Sequence, residues 1–306
     1  MNYPREEIRF MEISQPKIPF AGCFTTNLES QINSKLVFVG LPDDQQSSYL
    51  RGCAQAPNRI REAYDGYSHN STTDSGIDLS ETVVDLGDWL PESGGHLTVE
   101  SYYQKARSLF LAGKIPFFAG GDHAVTIPIG KALDALEQPI HIVQIDAHPD
   151  IYPEMGGSVY SHACVASRLL EYNHIASITQ IGIRTMNRVQ KEVVDKFSDR
   201  LHLFPARELS EKLPSLSHIP MGAPVYLTID LDGLDPAFAP GVSHPVPGGL
   251  SSRQVLNLIQ QGHWRLVGMD VVELNPDRDV NNLTAILAGR LLHEGMGYAQ
   301  SGIITA

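Results

Sequence analysis

Apolar residues along this chain gather in short unbroken runs, each followed by a loop bearing Gly, Asp or Pro and then by a stretch with helical spacing. The runs lie at 35–40 (KLVFVG), 115–120 (IPFFAG), 140–146 (IHIVQID), 178–184 (ITQIGIR), 224–230 (PVYLTID) and 265–272 (RLVGMDVV). None alternates strictly, which is the pattern of strands covered on both faces in a parallel sheet. Helical spacing marks 57–64, 99–111, 124–136, 162–171, 251–261 and 283–298. Pro57 suits a first helical turn, Ser251 and Ser252 an N-cap, and Gly262 a helix stop. Strands alternating with helices predict a doubly wound α/β fold: three layers, αβα, around a mostly parallel sheet with right-handed crossovers. The polar, poorly periodic stretch 188–217 finds no place in that scheme. No repeat, low-complexity tract or linker interrupts the chain, so a single domain over 1–306 is expected.

In open α/β sheets ligands bind at the carboxyl ends of the strands. Four of the expected strands end in acids and histidines: Asp122-His123, the DAHPD of 146–150, the DLDGLDP of 230–236, and Glu273. Residues two apart in an extended segment point to one side. Asp146, His148 and Asp150 are therefore expected to converge, as are Asp230 and Asp232, with His123 arriving from a third strand. A lone D-x-D after a strand is more often a turn or a helix cap. Four aspartates and two imidazoles together at the end of an apolar sheet would repel one another and lose hydration. Two divalent cations balance those four charges. Carboxylates and imidazoles without thiolate favour Mn²⁺, and two such ions sharing a water lower its pKa from about 15.7 toward neutrality. His141, His174, His202, His218, His263 and His293 have no ligand-like spacing and are expected at the surface or in packing.

Composition narrows the partners. Hydrophobic residues make up 42% of the chain and charged ones 19%, ordinary values for a soluble globular protein. The net charge of −12 argues against nucleic acid and anionic membranes, and suits a small cationic substrate. Cys23, Cys53 and Cys164 are odd in number and lack C-x-x-C spacing. Neither a disulfide framework nor a thiolate zinc site is expected, and a reducing cytoplasm is. MNYPREEIRF at the N-terminus carries charges and no continuous apolar core, so no signal peptide is expected there. No run approaches the roughly 18 apolar residues of a membrane span.

GGDH at 120–123, DAHPD at 146–150, TIDLDGLDPAFAPG at 228–241 and MDVVELNP at 269–276 resemble the signatures of the ureohydrolase family, the arginases and agmatinases. SSYLRGCAQAPNRIREA at 47–63 is similar to the family's early Gly–Pro–Ile–Arg segment, so the resemblance spans nearly the whole chain. It implies an arginase-like fold and a binuclear manganese hydrolase, with two Mn²⁺ per chain, that releases urea from a guanidino substrate. By the family's pattern one ion would be held by His123, Asp146, Asp150 and Asp230, the other by His148, Asp146, Asp230 and Asp232. His162, in YSHA, matches the family's proton shuttle, and Glu273 the carboxylate that pairs with the guanidinium. Asp150 is the expected proton relay to the departing amine.

The stretches DAHPDIY, YSHA, APGVSHPVPGGLS and ELNPDRD look most like plant-type arginases, which implies L-arginine as substrate. Agmatine, or another guanidino or formimino compound, is the alternative. Where animal-type arginases bind the α-carboxylate through an asparagine, Tyr152 stands here. Ser158 matches a serine that serves the same end, and Asn187 falls where an aspartate meets the α-amino group. The resemblance also implies a homotrimer or homohexamer. A catalytically silent subunit would have lost ligands that are all present here, and a single-zinc deacetylase of the same fold type would need fewer carboxylates.

Overall fold

A computed structural model describes residues 20–93, 95–209 and 214–305. The N-terminal segment inspected for a signal peptide lies outside them. Eight strands form one sheet among the described residues: β1 (Leu36–Gly40), β2 (Val83–Asp88), β3 (Ile115–Ala119), β4 (Ile140–Ile145), β5 (Ile175–Ile183), β6 (Leu201–Pro205), β7 (Pro224–Asp230) and β8 (Arg265–Val272). Their spatial order is β2-β1-β3-β8-β7-β4-β5-β6. Every pairing is parallel. Around the sheet lie α1 (Leu28–Asn33), α2 (Ala56–Ala63), α3 (Gly95–Leu111), α4 (Thr126–Ala132), α5 (Val165–Leu170), α6 (Arg188–Lys196), α7 (Ser252–Gln260) and α8 (Leu283–Thr305).

The unbroken apolar runs follow from a sheet buried on both sides. Phe117 packs into the layer that holds α2, α7 and α8, and its neighbour Phe118 into the layer that holds α3, α4 and α5. Both rings are fully buried, and burial of each contributes on the order of 1.5–3 kcal/mol. This is the three-layer αβα arrangement expected from the sequence. Ser251 caps α7 through a reciprocal capping box with Gln254, as its position predicted.

Three expectations need correction. The stretch 124–136 is not one helix: a 3₁₀ turn (His123–Val125) leads into α4, and a second (Leu133–Leu136) follows it. The helix expected from 162 likewise begins as a 3₁₀ turn, His162–Cys164, before α5. The unplaced stretch 188–217 contains α6 and the edge strand β6. β6 and the opposite edge strand, β2, are only partly buried along their length, so neither shows a continuous apolar run. Among the described residues no helix is long and apolar enough to cross a membrane.

Candidate metal centre

Four adjacent strands, β3, β8, β7 and β4, form the middle of the sheet, and their carboxyl ends carry the acids and histidines singled out above. His123 is the centre of the first group. Its Nδ1 lies 3.3 Å from Asp146, 3.0 Å from Asp150 and 3.5 Å from Asp230. Its Nε2 is 2.9 Å from Thr228 Oγ1, and that hydroxyl donates to Asp270 at 2.6 Å. Thr228 therefore accepts from His123, so the Nε2 of the neutral ring carries the hydrogen. This leaves the Nδ1 lone pair facing three carboxylates, and Nδ1 is buried with no hydrogen-bond partner. Four electron donors converging on one point suit a cation.

A second group forms around His148, whose Nδ1 lies 3.0 Å from Asp232 and 3.7 Å from Asp146. Potential donor atoms of His123, Asp146, Asp150 and Asp230 all lie within 4.8 Å of one another, as do those of Asp146, His148 and Asp232. Asp146 belongs to both groups. Burial works against positive charge on His148, yet Asp146 and Asp232 drive its pKa up to about 12. The carboxylates draw positive charge from whatever faces them.

The convergence does not come from strand alternation. β4 ends at Ile145, and Asp146 Oδ1 accepts from the His148 backbone N–H at 2.7 Å, closing a turn. Asp150 then takes a left-handed backbone, φ 44°. Asp230 Oδ1 accepts from the Asp232 N–H at 2.8 Å and caps a 3₁₀ turn over Leu231–Gly233, while its Oδ2 faces His123. Asp232 divides its oxygens in the same way, Oδ1 to the Ala147 N–H and Oδ2 to His148. Turn cap and ligand are thus not alternatives: a carboxylate has two oxygens, and each serves one purpose.

His162 and Glu273 sit beside these groups. His162 Nδ1 donates to Glu273 Oε1 at 3.0 Å, and its Nε2 accepts from the Ser48 N–H at 3.2 Å. Burial would lower the His162 pKa, but the Glu273 carboxylate raises it to about 9. Burial would likewise raise Glu273, but its bonds to His162 and to the His123 N–H bring it down to about 2. Glu273 also has a left-handed backbone, φ 66°, held by its N–H on Gly121 O at 2.8 Å. Gly121 admits no side chain, since an added Cβ would stand 1.8 Å from the Asp43 carbonyl oxygen.

A pocket of about 420 Å³ opens onto both groups. At its inner end lie His148, Asp150, Asp230, Asp232, His162 and Glu273; at its outer end lie Tyr152, Thr185, Met186, Asn187 and Gln190. Asn187 caps α6, and its Nδ2 donates to the Tyr152 hydroxyl. Ser158 does not line the pocket; its hydroxyl donates to Gln46 Oε1 at 2.9 Å. A larger groove of about 730 Å³ beside Trp264 carries no carboxylate among the described residues and lies among other residues.

His244 and Arg184 escaped the sequence reading, and Asp122 has no role in it. His244 lines the pocket, its ring centroid 5.4 Å from that of His162 and 6.1 Å from that of His148. Asp122 ties the 3₁₀ turn at His123 to the loop at Gln46 and Ser47; burial and the Glu273 charge push its pKa up to about 8. Arg184 closes its guanidinium on the carbonyls of Gly182, Asp232, Gly233, Leu234 and Val246, fastening the end of β5 to the loops after β7. No spacing rule marks any of the three.

A sequence model described as the arginase family matches residues 34–297. The chain is 38% identical over 270 residues to arginase 1, mitochondrial, of Arabidopsis thaliana, a match covering 84% of this chain and 78% of that protein. It superposes on the arginase from Medicago truncatula with a TM-score of 0.77 at 33% identity, covering 87% of both chains. On the agmatine ureohydrolase of Thermoplasma volcanium the TM-score is 0.81 at 31% identity, covering 95% of this chain and 97% of that one.

Proposed function

This chain belongs to the arginase family of metal-dependent amidinohydrolases, and from that premise we propose that it hydrolyses L-arginine to L-ornithine and urea with two Mn²⁺ ions. His123, Asp146, Asp150 and Asp230 would hold one ion. His148, Asp146 and Asp232, with Asp230 shared as the family resemblance implies, would hold the other. Such a pair, when bound, would supply an acidified water as the nucleophile.

The remaining work falls to the protein. Glu273 would accept two parallel hydrogen bonds from the planar guanidinium and fix its approach. Its low pKa keeps it ionised for that purpose. His162, whose raised pKa of about 9 favours the protonated ring, would as imidazolium give a proton to the departing amine and return to the neutral form, with Asp150 as relay.

One observation carries the choice of substrate. The outer end of the pocket presents neutral polar groups, Tyr152, Thr185, Asn187 and Gln190, at the N-terminus of α6, where the helix dipole favours an α-carboxylate. Ser158 would join them only by leaving Gln46. Agmatine lacks that carboxylate and is the second reading, favoured by the likeness to the Thermoplasma volcanium enzyme.

Urea release from L-arginine, agmatine and 4-guanidinobutyrate, measured on manganese-loaded protein, tests this. L-Arginine is expected to exceed agmatine by at least about 10²-fold in kcat/KM, because polar groups left without their partner penalise the shorter ligand. Faster turnover of agmatine would overturn the arginase reading. The three cysteines are free and buried, which suits a reducing compartment. The compartment we expect is the cytoplasm, as the sequence suggests, whereas the Arabidopsis thaliana protein is named as mitochondrial. A homotrimer or homohexamer is the assembly we expect, to be read from the mass in solution.

A further inference from the structure

We propose that His162, His244 and Glu273 form a third cation site, selective for zinc, whose filling excludes the guanidinium from the pocket. Potential donor atoms of the three side chains lie within 4.8 Å of one another. Ligands of a tetrahedral zinc at about 2.0–2.1 Å stand about 3.4 Å apart, so a contraction of at most about 1.4 Å seats the ion. Two imidazoles and one carboxylate, with a fourth position open to water, is a zinc donor set. It is a poor one for Mg²⁺, which prefers six oxygens.

The site is built before any ion arrives. His162 is anchored at Nε2 by Ser48, so only Nδ1 is presented, and a zinc ion would replace the proton that Nδ1 shares with Glu273. Glu273 is fixed by the His123 N–H on Oε1 and by the Cys53 thiol, 3.5 Å from Oε2. His244 is carried by a loop stitched to the end of β8. Val242 bridges to Leu274, Asn275 N–H donates to Gly241 O at 2.8 Å, and Asn275 Nδ2 donates to Ser243 Oγ at 2.9 Å. The centroid of the Tyr49 ring lies 5.3 Å from that of His244. The three donors therefore come from three separate segments, each tied down independently.

The consequence is competition. The proposed role of Glu273 is to hold the guanidinium, so a zinc ion and the substrate require the same carboxylate; this part rests on the function proposed above, whereas zinc retention does not. The test is zinc titration of the manganese-loaded full chain, with both metals counted by elemental analysis after equilibrium dialysis and urea release followed in parallel. One zinc per chain is expected, taken up with manganese content unchanged. The KM for the guanidino substrate should rise about tenfold or more with kcat unchanged, the signature of a competitor. His244→Ala should keep its manganese, which shows that it is folded, and lose the zinc. Zinc taken up only in exchange for manganese, or retained equally by His244→Ala, overturns the proposal. If no guanidino compound yields urea, the functional reading fails while the metal counts still decide the third site.

Discussion

Asp270 accepts three hydrogen bonds inside the sheet, from Thr126, Tyr226 and Thr228, and through Thr228 it sets which nitrogen of His123 carries the hydrogen. Thr228→Val keeps the shape of the side chain and removes the oxygen. It is expected to weaken manganese binding by about 10–100-fold, the usual effect of losing such a support, with the fold retained. Metal titration of the variant, alongside its circular dichroism, checks this; unaltered affinity would mean that the relay does not orient His123. The candidate ligands themselves were legible in the sequence, because cation binding demands acids and imidazoles at strand ends. Their supports were not. Thr228 and Asp270 lie inside the runs PVYLTID and RLVGMDVV, where a single polar residue looks like an interruption. His244 stands in a loop with no periodic partner, and only the folded chain sets it beside His162.

Interior strands announced themselves and edge strands did not, for one physical reason: only a strand covered on both faces must be apolar at every position. β2 is held instead by charge. Arg61 on α2 makes a bidentate pair with Asp85 at 2.9 Å and a third bond to Asp88 at 2.7 Å, its guanidinium 4.8 Å from the centre of the Phe38 ring. Arg61→Met leaves the buried Asp85 without its cation and is expected to destabilise the protein by about 3–5 kcal/mol, as when one partner of a buried pair is removed. Denaturant unfolding measures it, and a loss under about 1 kcal/mol would show that the pair is exposed in practice. Motif spacing predicted which residues meet, whereas strand alternation gave the wrong route. The DAHPD loop and the DLD turn bend out of their strands, with one oxygen of Asp146 and one of Asp230 used to make the bend.

At the scale of the whole molecule the two groups bring four aspartates, Asp146, Asp150, Asp230 and Asp232, together at the carboxyl ends of adjacent strands. Bound cations should therefore stabilise the native state by mass action, by about 2.7 kcal/mol for each site at a free concentration 100 times its Kd. Removing metal with a chelator is expected to lower the Tm by several degrees, and adding Mn²⁺ to restore it, as scanning calorimetry would show. A Tm indifferent to chelation would mean that the acids tolerate one another without ions. The sheet order has a further consequence, for synthesis. As the chain leaves the ribosome, its first six strands can pair only as two separate ribbons, β2-β1-β3 and β4-β5-β6. Each has an apolar inner edge awaiting a neighbour. β7 and β8, translated last, fill the gap and bring His123 up to the DAHPD loop. Until then the nascent protein has two sticky edges to shield and no complete nest for an ion, so tight cation binding reports that the final strand has been threaded into place.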